Sequence, residues 1–147
     1  MKAVLQRVKS AQVCVENAPI AEIGYGLLVF IGISKPDTPE LVEKQIKRIL
    51  DYRIFADDND KMNLSLKQVA GELLIVSQFT LIASTDKGLR PGFSDSAPRA
   101  QAQLLYQHAV DQAKIHYHKD AIATGQFAAD MQVQLINDGP VTFILET

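Results

Sequence analysis

Gly24-Tyr25-Gly26-Leu27-Leu28-Val29-Phe30-Ile31-Gly32-Ile33 sets five large apolar side chains in a row, Leu27 to Ile31, between two glycines. No polar residue alternates with them, so the segment reads as a strand buried on both faces rather than one with a wet side. Glu72-Leu73-Leu74-Ile75-Val76-Ser77-Gln78-Phe79 has the same character, and the spacing predicts a second buried strand over Leu73 to Phe79. The chain is therefore organised around a sheet.

Upstream, Ala3 to Val8 and Ala11 to Asn17 carry apolar residues two apart, which predicts two strands. Asn17 to Pro19 supplies turn chemistry before Ile20. Downstream, Thr38-Pro39-Glu40 puts a capping hydroxyl before a proline suited to the first helical position. Val42, Ile46, Ile49 and Leu50 follow at helical spacing. Asp57-Asp58-Asn59-Asp60 is a polar loop between Phe55 and Leu64 that lacks the glycine and the later glutamate of a calcium loop. After Phe79 comes a long polar loop through Thr85, Lys87, Gly88, Pro91 and Gly92, a length that in compact domains often carries function. Asp95 or Ser96 is placed to cap a second main helix beginning near Pro98, carrying Leu104, Leu105, His108 and Ala109 and ending near Tyr117. Strands are expected around Ile122, from Met131 to Ile136, and from Val141 to Leu145. Strands outnumber helices without regular alternation, which favours a compact α+β domain over residues 1–147, with a β-rich, sheet- or barrel-like core and two main helices.

At 147 residues and 47% hydrophobic content the chain can bury one real core but not two comfortable ones. Lys2, Gln6, Arg7 and Lys9 interrupt any apolar run at the start, so no signal peptide is expected and the protein is expected in the cytoplasm. The longest apolar stretch is far below the roughly 20 residues that span a bilayer, so no membrane role is expected. Fifteen basic against seventeen acidic residues, a net charge of −2, argue against a protein that coats nucleic acid through a broad basic face. An RNA partner would have to be touched locally. The single Cys14 excludes an intrachain disulfide, and with no Cys-His pattern around it reads as a packing residue. His116 and His118 are spaced like ligands on a strand, but they sit at a helix end with no third ligand near in sequence. The dipole there accommodates them without a metal. No metal and no cofactor are expected.

No nucleophile elbow, phosphate-binding glycine loop or zinc-hydrolase motif is present. Two segments stand out instead. In Ser77-Gln78-Phe79-Thr80-Leu81 a buried strand abruptly acquires hydroxyl and amide groups, either to satisfy backbone at a strand end or to form a site. Asn137-Asp138-Gly139-Pro140-Val141-Thr142 reads as a tight turn joining the last two strands.

Together these segments resemble the paired signatures of the D-aminoacyl-tRNA deacylase family, Ser-Gln-Phe-Thr-Leu and Asn-x-Gly-Pro-Val-Thr. Leu5-Gln6-Arg7-Val8, Tyr52-Arg53-Ile54-Phe55, Lys61-Met62-Asn63-Leu64, Arg90-Pro91 with Phe93-Ser94, and Thr124-Gly125 with Phe127 and Met131 are similar to family positions in family order. The resemblance spans essentially the whole chain, with Gly92 standing where some members carry serine.

The resemblance implies a homodimeric hydrolase that cuts the ester between a D-amino acid and the 3′ acceptor end of tRNA; a filter that works by excluding L side chains would not reject glycine well, so some glycyl-tRNA cleavage is expected. It implies a cis Gly139–Pro140 bond, with the loop entering the partner subunit's site, its carbonyls holding the substrate's α-amino group and leaving no room for an L side chain. Arg7 is the position expected to support that loop. Ser77 and Gln78 join Gly139 and Pro140 as expected substrate-binding residues. Phe79 and Thr80 are the expected catalytic positions, through backbone N–H groups facing the developing oxyanion. The Thr80 hydroxyl could attack or orient water, but no adjoining histidine or carboxylate activates it, which favours positioning. Lys87, Arg90 and Arg99 flank the expected pocket and are candidates for phosphate contact. A non-enzymatic small-ligand or RNA-binding module is the alternative from another class, and a small oligomeric imine or enamine hydrolase is a second enzymatic one.

Overall fold

The structure is a computed structural model that describes residues 1–86 and 88–147. Its frame is a mixed sheet built on one long strand, β1 (Lys2–Val15). Glu16 and Asn17, both at positive φ (51° and 65°), reverse the chain into β2 (Ala18–Ile23), which pairs with the far half of β1. Positive φ at two successive turn residues matches the right-handed twist of the strands they join. Pro19 is tolerated because β2 is an edge strand. β3 (Gly26–Gly32) pairs antiparallel with the near half of β1 and parallel with β6 (Glu72–Ser77), and β7 (Ile122–Thr124) extends the parallel part. β8 (Gln132–Glu146) runs antiparallel along the other edge of β1, so the order is β8-β1-β3-β6-β7 with β2 beside the far half of β1. A Cβ at Gly26 would run into the Glu72 backbone, so glycine lets β3 and β6 start their ladder.

Both faces of the two central strands are covered, as their unbroken apolar runs require. Leu27, Val29, Ile31, Leu73 and Ile75 face α1 (Pro39–Asp51) and α3 (Arg99–His116), meeting Val42, Ile46, Ile49, Leu105, Ala109 and Val110. Leu28, Leu74 and Val76 face the other way, onto Val8, Ala11, Val13 and Ile23, where the curled sheet closes on itself in a near-barrel. α1 begins as its sequence predicts, with the Thr38 hydroxyl accepting from the Leu41 N–H at 3.4 Å and Pro39 in the first turn. A third, one-turn helix, α2 (Leu66–Val69), adds to the two expected. A two-stranded ribbon of β4 (Phe55–Ala56) and β5 (Met62–Leu64) encloses the acidic loop. The Asp57 carboxylate accepts from Asn63 Nδ2 and from the Lys61 and Asn59 N–H groups. Those bonds hold its pKa below the ordinary value. Among the described residues no helix is long and apolar enough to cross a membrane.

Four expectations are corrected. The two N-terminal strands are one: Leu5 faces the helices while Val8, Ala11 and Val13 all face the second core. The odd spacing from Val8 to Ala11 is a bulge, seen also as register shifts against β8. The two C-terminal strands are likewise halves of β8, and Asn137 to Thr142 is not a turn between paired neighbours, because both halves pair with β1. β6 stops at Ser77 rather than Phe79. Pro98, with no side-chain cap, precedes α3 in place of Asp95 or Ser96, and Ser96 is drawn instead into a bridge with Ser34.

Ala70 (φ 48°) and Ala128 (φ 59°) hold left-handed backbone that costs an L side chain about 1 kcal/mol or more. Ala70→Gly and Ala128→Gly are each expected to stabilise the fold by about 0.5 to 1 kcal/mol. The change is read as a higher urea midpoint at unchanged slope, and a lower midpoint for either variant would contradict the strain.

Candidate active site

The site grows from the place where β6 stops. Gln78 N–H still donates to the Ile31 carbonyl at 2.7 Å, as a seventh rung would, but its backbone (φ −143°, ψ 85°) turns the chain into a single 3-10 turn, Phe79–Ile82. Gly32 permits that approach: a Cβ there would lie 3.0 Å from the Gln78 carbonyl oxygen. The first N–H groups of a helical turn have no partner within it, and here those are at Phe79 and Thr80. Gln78 Nε2 donates to the Thr80 hydroxyl oxygen at 2.5 Å. Among the described residues no histidine or carboxylate bonds to that hydroxyl, so nothing is in place to take its proton.

Beside this turn opens a cavity of about 530 Å³. Ser77, Gln78 and Phe79 line one side, Arg99, Ala102 and Tyr106 of α3 another, and Phe127, Ala128, Asp130 and Met131 a third. Its walls are mostly apolar with a few convergent polar groups, the usual make-up of a small-ligand site. Tyr106 ties the walls together: its buried hydroxyl donates to the Ile75 carbonyl at 2.9 Å, with the Gly125 carbonyl at 3.4 Å, and its ring lies 5.8 Å from that of Phe127. Burial pushes the phenol well above its ordinary pKa, so it stays a neutral donor.

The second segment projects from β8. Asn137 pairs with Val8 and Thr142 with Gln6, so most of the residues between them are thrown out of the ladder. Asn137 replaces the lost strand partner: its Oδ1 accepts from the Val141 N–H at 2.7 Å, and its Nδ2 donates to the Val141 carbonyl and the Thr142 hydroxyl, both at 3.2 Å. Gly139 sits at φ +148°, and the Gly139–Pro140 bond is cis, with both residues exposed. Arg7 reaches the loop from β1. Its Nε donates to the Asp138 carbonyl at 3.0 Å and lies 3.1 Å from the Asp138 carboxylate, while Nη1 donates to the Ile54 carbonyl at 2.8 Å.

Ser77, Gln78, Phe79 and Thr80 are thus brought together, and so are Arg7, Gly139 and Pro140, but the two groups are not brought to each other. Neither Arg7, Gly139 nor Pro140 lines the cavity. The loop lies on β8, three strand spacings from β6, or about 14 Å counted across the sheet. Arg99 lines the cavity, Arg90 is exposed on the loop after Phe79, and Lys87 lies outside the described residues. Cys14 lies on β1 opposite Pro19, its thiol donating to Gln12 Oε1 at 3.5 Å. His116 is in the last turn of α3, 3.7 Å from Glu43.

Three elements of the arrangement are not predicted. Asn137 stands inside the recognised motif, but as a turn residue it gives no sign of bracing a bulge. Tyr106 reads as one apolar helix position among several. Asp130, two residues before β8, has no pattern around it.

A family profile described as D-Tyr-tRNA(Tyr) deacylase matches residues 4–146. The D-aminoacyl-tRNA deacylase of Pseudoalteromonas translucida (strain TAC 125) is 54% identical over 145 residues, covering 99% of both chains. That of Saccharophagus degradans is 52% identical at the same coverage. Among solved structures, one described as c-Myc DNA Unwinding Element Binding Protein superposes with a TM-score of 0.96 at 41% identity, covering 100% of this chain and 99% of its own. A probable eukaryotic D-amino acid tRNA deacylase, at 18% identity and TM-score 0.83 over 98% of this chain and 97% of its own, shares the fold. With the profile spanning nearly every residue, and the two signature segments both built into defined structures, the chain belongs to the D-Tyr-tRNA(Tyr) deacylase family.

Proposed function

We propose that this protein hydrolyses the ester of D-aminoacyl-tRNA, releasing free D-amino acid and tRNA, at a site that two copies of the chain complete together. The observation that carries the reading is the separation just described: a cavity beside Ser77 to Thr80, and a braced, exposed Gly139-Pro140 loop that its own chain holds away from that cavity. A second copy supplies the loop. Ile144, 65% exposed, stands opposite half-buried Val4 beside the loop and offers apolar surface for such a pairing.

The chemistry fits a site without a strong base. Water adds to the ester carbonyl, the carbonyl oxygen becomes negative, and the Phe79 and Thr80 N–H groups receive that charge. The ribose hydroxyl next to the ester helps carry the proton to the departing 3′ oxygen, leaving acid and tRNA. Ser77 and Gln78 position the substrate, and the partner's Gly139 and Pro140 carbonyls accept from its α-ammonium, so that an L side chain would collide with backbone. Glycine has no side chain on either face, so glycyl-tRNA is expected to be cleaved as well. No metal or cofactor is invoked, and a tRNA ester as substrate supports a cytoplasmic location.

Thr80→Ala removes one neutral hydroxyl held by Gln78 and is expected to cost no more than about tenfold in kcat/KM. A loss near 1000-fold in a folded variant would make that hydroxyl a nucleophile or proton carrier. The test of the function is release of amino acid from matched D-tyrosyl-tRNA and L-tyrosyl-tRNA with EDTA present. Loss of the D ester with the L ester spared is the expected result, and stability of both esters would contradict it. A pure nucleic-acid binder, the reading suggested by the name of the 41% identical structure, would bind without releasing amino acid. The net charge of −2 gives that reading little support.

A further inference from the structure

Two aromatic rings stand together in water at the rim of the cavity. Phe79 is 61% exposed and Phe93 40% exposed, with ring centroids 5.1 Å apart and planes tilted by 49°. Phe93 is partly covered, and backbone hydrogen bonds on both sides of it also hold it in place. Ser84 and Gly92 exchange two N–H···O bonds of 2.8 and 2.9 Å, which close the loop one residue before Phe93. The Lys35 N–H donates to the Asp95 carbonyl at 3.0 Å and pins the chain two residues after it. The chain thus fixes the Phe93 ring against that of Phe79, a lining residue of the cavity, and leaves part of both rings uncovered.

On the deacylase reading, on which this inference rests, the substrate ester lies at the Phe79 N–H and the terminal adenosine occupies the adjoining cavity, which leaves the Phe79 and Phe93 rings at its rim for the group that follows. The next group along the acceptor end is an unpaired nucleobase. We infer that Phe79 and Phe93 form a stacking platform for the base immediately 5′ of the terminal adenosine. Every base has a π-face, so stacking grips a single-stranded end without a broad basic surface. That suits a chain of net charge −2. Arg90, exposed three residues before Phe93 on the same loop, adds local positive charge for the phosphates that accompany that base.

The test compares Phe93→Ala, Phe93→Leu and Phe93→Trp on two substrates, D-tyrosyl-tRNA and the minimal ester D-tyrosyl-adenosine, which lacks the preceding base. For alanine and leucine, kcat/KM on the tRNA is expected to fall about 5- to 100-fold more than on the adenosine ester, mainly through KM, with tryptophan restoring it. Equal losses on both substrates would overturn the platform, and so would no loss on the tRNA. Conversion of the alanine variant to a monomer would overturn it too, by assigning the rings to a second copy. Binding of the trinucleotide CCA against adenosine alone, followed for the same variants, separates this inference from the deacylase reading. If the wild-type protein cleaves neither ester, that reading fails. The platform then stands only if Phe93→Ala still weakens CCA, and not adenosine, by a similar factor.

Discussion

Gly139→Ala is expected to lower cleavage of D-tyrosyl-tRNA by about 100-fold in a protein that still folds. A Cβ at that position would lie 2.5 Å from Val141 Cγ2 and 2.8 Å from the Val141 nitrogen, and φ of +148° is one that L side chains rarely adopt. Backbone must therefore move, and the part free to move is the exposed loop, since Val141 is buried in the main core and held by Asn137. Relief by movement of about 1 Å is enough for such a loss where the displaced groups position the substrate. The local cost is about 1 to 3 kcal/mol, so circular dichroism should report a folded chain with a modestly lower melting temperature. Single-turnover cleavage within threefold of wild type would remove the Gly139 carbonyl from the site.

The second large effect is on stability. The Met1 ammonium lies 2.5 Å from the Asp37 carboxylate in a buried contact, the Asp37 side chain being 3% exposed; the ammonium also donates to the Thr147 hydroxyl at 3.0 Å. The other Asp37 oxygen accepts from the Ser34 N–H at 2.6 Å. Asp37→Ala would leave a buried cation unpaired, a change that costs about 3 to 5 kcal/mol. In a chain of this size that is a melting temperature lower by about 10 °C. Asp37→Asn keeps an acceptor oxygen and should lose less. A thermal scan showing no change for the alanine variant would mean the pair contributes nothing net.

How far the sequence reveals this molecule depends on whether the deciding forces are local. Leu27 to Ile31 and Leu73 to Val76 form strands buried on both faces because unbroken apolar runs of that length have few other places to go. Thr38-Pro39-Glu40 starts a helix because capping chemistry acts within one turn. Lys9 and Ser10 interrupt the alternation of β1 as a turn would, and only the partner strand reveals a bulge instead. Gly139-Pro140 has turn chemistry whether or not the chain reverses, and the pairing of both halves of β8 with β1 is non-local. Asp37 gave no signal, since its partner is the chain's own ammonium. For the site, the Ser77 to Thr80 and Asn137 to Thr142 segments were legible through their resemblance to a family. The bracing roles of Asn137 and Tyr106 depend on contacts across the fold that no spacing encodes.

Whether two copies build one site is tested most directly by mixing two disabled chains. A Gly139→Ala chain keeps an intact cavity but lacks a working loop, and a Ser77→Trp chain keeps the loop but has its cavity filled. Each is expected to be inactive on D-tyrosyl-tRNA alone. Co-expressed with different affinity tags, they should form mixed dimers that contain one intact site. An equal mixture would then recover about one quarter of wild-type activity. Mixed dimers, verified by tag and mass, that remain inactive would contradict a site shared between copies.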